Sequence, residues 1–494
     1  MKWKLLTSAL SFVLFLPAQE IRITQGISDY QVFQRGPKQT ADFKLSGTVT
    51  GKKTNDKQIE ARLILGDRVL ASFDWVPIGK VQKQNWTGEL AHVPVGGPYR
   101  LEVRMQGATS TYSVDQILVG DLWILAGQSN MEGHGDLDNV QQPIPQVHAF
   151  DMADTWLLAA EPLHTLVSAA DRVHWRLNGN KEPERWAGDK LFLYVKERKK
   201  GAGLGLPFAA EMSRRTGVPI GLIPCAHGGT SMDQWSPELK DREGDSLYGA
   251  MLRRFHAVGG DVRGVLWYQG ESDANPKAAP EFLRKFKSFV AAVRDDFNRQ
   301  TLPFYYVQIG RHVSADNIFE WNDVQAAQLQ AEPELQDAGM VSSIDCTLDD
   351  PIHVSTEGLK RLAHRLADRA CHDLFPNVPE CATLKPGPRP VSARYENGIV
   401  KVEFTGVNGR LEADGRLSGF SIHDARGGPL PLIYKSAIDP SGASVVLYLG
   451  GKLPENSTLR YGFGKDPYCN LRDAADHAAP AFGPLPITTL TAAR

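Results

Sequence analysis

From about Glu20 to Leu118, apolar and polar residues alternate with period two. Tyr99, Leu101, Val103 and Met105 fall on one side, and Arg100, Glu102 and Arg104 on the other. Turn residues such as Gly96-Gly97-Pro98 separate short runs of this kind. The pattern predicts antiparallel strands with one wet face, a β-sandwich. From Val119 the pattern changes. Continuous apolar runs near 122–126, 220–224, 262–268, 304–309 and 340–345 are separated by helical stretches. One of these carries Leu359, Leu362, Ala363, Leu366 and Ala370, the stripe of a surface helix, with Ser355 or Thr356 as its cap. Strands alternating with helices predict an α/β fold, a parallel sheet covered on both faces with its site beyond the carboxyl ends of the strands.

Between Gly133 and Gly205 lies a long polar insertion with Trp156, Trp175 and Trp186, read as a small subdomain or a lid. Lys385-Pro386-Gly387-Pro388-Arg389-Pro390 reads as a stiff linker. After it alternation returns, and Asn397-Gly398 signals a tight hairpin. The division expected is therefore an amino-terminal β-domain over 20–118, an α/β domain over 119–384 with its insertion at about 133–205, and a β-rich domain over 391–494.

A chain of 494 residues exceeds one ordinary core. With 55 cationic residues scattered against 57 acidic ones, a nucleic-acid partner is excluded. Lys2 and Lys4 precede a mostly apolar run from Leu5 to Leu16 closed by Pro17-Ala18-Gln19, the order of a secretory signal over 1–19. The run is too short to span a bilayer, so the expectation is a secreted or periplasmic protein with no membrane span after cleavage. Among Cys225, Cys346, Cys371, Cys381 and Cys469, only Cys371 with Cys381 lie close enough in sequence to suggest a disulfide.

Four islands sit just after the predicted strands. Gly127-Gln128-Ser129-Asn130-Met131 follows Leu122-Trp123-Ile124-Leu125-Ala126, where a parallel sheet presents a nucleophile. Asp350-Pro351-Ile352-His353 offers a base, His353, with Asp350 placed to accept its Nδ1 proton. Gly228-Gly229-Thr230 and Trp267-Tyr268-Gln269-Gly270-Glu271 supply donors for an oxyanion. The expected donors are the N–H groups of Ser129 and Gly229 and the side-chain amide of Gln269. Glu271 has two readings, a supporting acid for His353 or a structural pin for its loop. No Gly-x-Ser-x-Gly elbow, His-Glu-x-x-His or Gly-x-Gly-x-x-Gly motif occurs, so no metal and no cofactor is expected. Trp175, Trp186 and Trp235 stand as candidates for stacking on a sugar ring.

These islands resemble the sialate O-acetylesterase group of SGNH-type carbohydrate esterases. The resemblance extends to Asp29-Tyr30-Gln31-Val32-Phe33-Gln34-Arg35, Gly120-Asp121-Leu122-Trp123 and the tail Arg460-Tyr461-Gly462. The segment Val354-Ser355-Thr356-Glu357-Gly358 is equally similar to acetylxylan esterases. The resemblance implies a flavodoxin-like parallel-sheet hydrolase core flanked by amino- and carboxyl-terminal β-sandwich-like domains. It implies Ser129 as nucleophile, His353 as base and Asp350 as its partner, with Gly229 and Gln269 beside Ser129 in the oxyanion hole. The expected substrate is an acetylated carbohydrate, sialoside or else a plant polysaccharide such as xylan or xyloglucan. A glycan-binding protein with a vestigial esterase core and a metal-dependent deacetylase are the readings from other classes.

Overall fold

The computed structural model describes residues 20–51, 54–316 and 320–489. The secretory-signal reading at residues 1–19 lies outside the described residues. The chain divides into two compact units, Met1–Asp29 with Thr40–Ile117, and Tyr30–Gln39 with Leu118–Arg494.

The first unit is antiparallel. Strands Ile21–Gln25, Thr40–Val49, Asn85–Pro94, Val76–Gln82, Gln58–Leu65 and Gly96–Met105 neighbour one another in that order. Tyr99, Leu101, Val103 and Met105 are all buried, the inward half of the alternation. Gly96-Gly97-Pro98 opens the last of these strands rather than forming a separate turn.

The second unit is built on a parallel sheet. Its strands are β1 (Tyr112–Gly127, from Leu118 onward), β2 (Val147–Phe150), β3 (Ile220–Pro224), β4 (Gly264–Tyr268), β5 (Phe304–Gln308) and β6 (Ala338–Ser342). Their spatial order is β2-β3-β1-β4-β5-β6, every neighbouring pair parallel. From β1 the chain crosses to the outer strand β2, returns to insert β3 beside β1, and then builds outward on the other side from β4, so a crevice opens at the carboxyl end of β1. β2 is an element that sequence reading passed over inside the polar insertion. It is tied down by Arg254, a fully buried guanidinium that donates to Phe150 O (2.6 Å), Asp151 O (2.8 Å) and Asp154 (2.6 Å). Far from a detached flap, the insertion contributes a strand to the sheet.

Helices cover both faces. The helix Thr356–Leu374 buries Leu359, Leu362, Ala363, Leu366 and Ala370, and of its two candidate caps Ser355 does the capping, accepting from Gly358 N–H at 3.1 Å. The helix Phe282–Asp296 buries Phe286 and Phe289 against Trp267. Cys371 and Cys381 form a disulfide, and Cys225, Cys346 and Cys469 are buried free thiols.

After residue 388 the chain forms an eight-stranded sheet. Asn397 (φ 49°) and Gly398 (φ 82°) join its strands Arg389–Glu396 and Ile399–Thr405, the left-handed pair that a two-residue hairpin turn requires. The segment read as a linker is tethered: Lys385 N–H donates to Asn408 Oδ1 (2.8 Å), Gly387 N–H to Gly406 O (3.1 Å), and Arg389 pairs with Glu332 (2.6 Å). Among the described residues no helix is long and apolar enough to cross a membrane.

Candidate active site

The sharp exit from β1 sets the position of Ser129. Gly127 adopts φ 130°, and a Cβ there would lie 2.2 Å from Tyr268 O, so only glycine lets β1 and β4 approach this closely. Gln128 N–H then bonds Tyr268 O (2.8 Å), and Ser129 opens a four-residue helix ending at Glu132.

Ser129, Gly229 and His353 line one cavity of about 510 Å³ with Gln128, Glu132, His134, His174, Trp175, Arg176, Tyr194, His227, Gly228 and Glu271 among their neighbours. His353 Nδ1 lies 2.9 Å from both oxygens of Asp350, which also accepts the backbone N–H groups of His353 (2.9 Å) and Ile352 (3.1 Å). With the Nδ1 proton donated to Asp350, Nε2 is left as the acceptor. Lys200 Nζ adds a bond of 2.7 Å to Asp350 Oδ2. Partial burial works to raise the Asp350 pKa, but Lys200, the imidazole and the two N–H groups outweigh it and hold the carboxyl well below the usual range. Burial lowers His353, which Asp350 opposes and the nearby His134 and Lys200 reinforce. Ser129 and His353 share the cavity without a direct hydrogen bond, as apo sites commonly do before substrate draws the groups together.

The sequence assigned a donor role to Gln269 that its surroundings overturn. Gln269 is fully buried, and its amide nitrogen is spent on Thr230 O (3.1 Å) and Asp273 Oδ2 (2.5 Å). It lines no part of the cavity. A side-chain amide is nonetheless present there. Gln128 lines the cavity, and its Oε1 accepts from Gly270 N–H (3.4 Å) and Ser272 N–H (3.3 Å), leaving Nε2 with no hydrogen-bond partner among the described residues. Gly228 N–H donates to Glu132 Oε2 (2.7 Å), so Gly229 (φ 71°) is the glycine of the pair whose N–H is left without a hydrogen-bond partner among the described residues.

Glu271 pins its loop: Oε1 accepts from Asn130 Nδ2 (2.7 Å), and Asn130 Oδ1 accepts from Val354 N–H (3.0 Å). It makes no bond to His353, whose Nδ1 belongs to Asp350. Burial pushes the Glu271 carboxyl up to about 7.

Of the three tryptophans, Trp175 lines the cavity, held by Nε1 to Ala169 O (2.8 Å). Trp186 stands behind the cavity wall, its ring under Arg176 (5.7 Å) and Lys190 (4.3 Å). Trp235 is a correction: it is wholly buried against Trp267 and Phe289 with Nε1 on Thr230 Oγ1 (3.0 Å), a core residue that no sugar reaches.

Sequence reading missed Glu132, His134 and Lys200. His134 stacks on His353 with ring centroids 4.4 Å apart, and its Nε2 lies 3.7 Å from Glu132 Oε1. His174 Nδ1 and His227 Nδ1 lie 3.1 Å apart on another wall, both pKa values lowered by burial. Among the described residues no group of three His, Cys, Asp or Glu side chains is placed to hold a metal ion.

Residues 119–372 match the family model described as carbohydrate esterase, sialic acid-specific acetylesterase. The chain is 28% identical over 221 residues to a probable carbohydrate esterase of Arabidopsis thaliana, covering 42% of this chain and 77% of that one. It is 24% identical over 324 residues to human sialate O-acetylesterase, an alignment spanning 58% of this chain and 60% of the relative. A solved carbohydrate acetylesterase from Xanthomonas citri shares the fold, with a TM-score of 0.62 and 21% identity over 94% of this chain and 99% of that one. The chain belongs to the sialic acid-specific acetylesterase family of carbohydrate esterases.

Proposed function

We propose that this chain is an exported serine esterase with an SGNH-type core that removes O-acetyl groups from carbohydrate, sialosides first among them. The observation that carries the reading is the meeting of Ser129, Gly229 and an Asp350-oriented His353 in one cavity beyond the parallel strands. Ser129 Oγ attacks the acetyl carbonyl carbon as its proton passes to His353 Nε2. The carbonyl oxygen becomes an oxyanion facing the N–H groups of Ser129 and Gly229 and the Gln128 amide. The C–O bond to the sugar breaks, His353 returns the proton to the sugar oxygen, and Ser129 holds the acetyl group. Water, deprotonated by His353, then attacks the acetyl-enzyme and releases acetate.

Export is supported by the order of residues 2–19, and the domain division by the change from alternating to continuous apolar runs at Val119 and back after Arg389. Acetate release from acetylated sialosides, xylan and xyloglucan by the wild-type protein, beside Ser129→Ala, tests the reading. The variant should lose on the order of 10⁶ in kcat on an aryl acetate. Near wild-type turnover by Ser129→Ala overturns the mechanism, and release from xylan or xyloglucan alone reassigns the sugar.

A further inference from the structure

An ionised carboxylate beside the place where an oxyanion forms is an obstacle to ester hydrolysis unless its charge is already spent. Glu132 is such a group. It lines the cavity three residues after Ser129 and is buried. Burial works to raise its pKa, but His134, His164 and the Gly228 N–H together hold it below the ordinary range, so it stays charged. Its two oxygens are directed to two different parts of the site. Oε2 accepts the Gly228 N–H at 2.7 Å, and Oε1 faces His134 Nε2 at 3.7 Å. His134 in turn stacks on His353. The fit around Gly228 is close: a Cβ there would lie 3.0 Å from Glu132 Oε2, 3.4 Å from Ser129 Cβ and 3.7 Å from His134 Nε2.

We propose that Glu132 is a positioning residue that fixes the oxyanion loop against the nucleophile, holding the Gly228 N–H on its carboxylate so that the next N–H, that of Gly229, faces the acetyl oxygen. A charge-assisted bond to a backbone N–H is short and directional, and it decides which of two successive peptide N–H groups turns inward. The same carboxylate supports His134, so nucleophile helix, oxyanion loop and the stack behind the base are set by one side chain.

The inference rests on the serine-esterase reading, and the test keeps the two apart. Hydrolysis of 4-nitrophenyl acetate by wild type and its loss in Ser129→Ala establish the reading by themselves. Glu132→Ala is then expected to lower kcat by about 10²–10³, the scale of one lost oxyanion donor, with KM within about threefold. Affinity for a trifluoromethyl ketone, whose adduct on Ser129 places an oxyanion where the acetyl oxygen would sit, should fall by the same factor. Glu132→Gln keeps an oxygen for the Gly228 N–H and should stay within about tenfold of wild type. Gly228→Ala crowds the same carboxylate and should lose kcat and ketone affinity together. The double variant Glu132→Ala with Gly228→Ala should be no worse than the poorer single one. Additive losses, a kcat defect with ketone affinity intact, or a Glu132→Gln as damaged as Glu132→Ala would each overturn the proposal. Should Glu132→Ala fail to fold, Glu132→Gln and Gly228→Ala still decide it.

Discussion

Lys200 Nζ donates a hydrogen bond of 2.7 Å to Asp350 Oδ2, the same carboxylate that lies 2.9 Å from His353 Nδ1. A third charge thus sits on the Asp350–His353 pair. Lys200 belongs to the strand Lys200–Ala202, which pairs with Gly135–Asp136, and Asp349 ties this ribbon to the His353 loop by accepting Asp136 N–H (2.9 Å) and Thr356 N–H (3.0 Å). The cation disfavours the imidazolium. Lys200→Met should therefore raise the kinetic pKa of the base and move the acidic limb of kcat/KM upward by up to about one pH unit. A limb that stays in place would show that Lys200 is only a surface pair.

Gln128 and Gln269 should separate cleanly under mutation. Gln128→Glu keeps oxygens for the Gly270 and Ser272 N–H groups but replaces the unpaired donor of a cavity-lining side chain by an anion, and a kcat loss of at least about 10² is expected. Gln269→Ala removes a buried amide from Thr230 and Asp273, so its main effect should be a lowered melting temperature, from a cost of about 1–3 kcal/mol. Thermal melts beside steady-state kinetics distinguish the two.

The tryptophans make a parallel pair. Trp175→Ala should raise KM for an acetylated sugar while leaving KM for a simple aryl acetate unchanged. Trp235→Ala should instead destabilise the fold by about 3–5 kcal/mol, because it empties a core site.

Glu271 carries a pH signature in stability. Its folded pKa, about 7, lies above its value in the unfolded chain, so the folded state binds the extra proton between those two values. Stability from this group is then complete below the unfolded pKa and falls as pH rises toward and past 7. Glu271→Gln keeps an oxygen for Asn130 and cannot ionise. It should match wild type near pH 4 and exceed it near pH 8 by up to about 3 kcal/mol. Equal denaturation midpoints at both pH values would refute the assignment.

Ser129, the glycine pair and the Asp350–His353 pair were legible because each is a short motif at the carboxyl end of a strand, where chain direction alone sets position. Gln269 shows the limit of that logic. Its place after β4 was readable, but its rotamer was decided by Asp273 four residues on and by Thr230 from another loop. Asp273, an acid left without a role by sequence reading, was the one available signal. β2 was hidden because four strand residues, Val147–Phe150, follow Pro143 and Pro145 in a polar stretch too short for periodicity to register. Lys200 and His134 carry no motif and are brought in by pairing across the insertion.

That pairing has an engineering consequence. The polar segment that would be exchanged between relatives to change sugar preference is bounded by His134 and Lys200, both of which touch the Asp350–His353 pair. Transplanting the whole segment would import a foreign stacking partner and a foreign countercharge along with a new rim. A chimera that alters selectivity without disturbing turnover has to place its splice points inside these two residues.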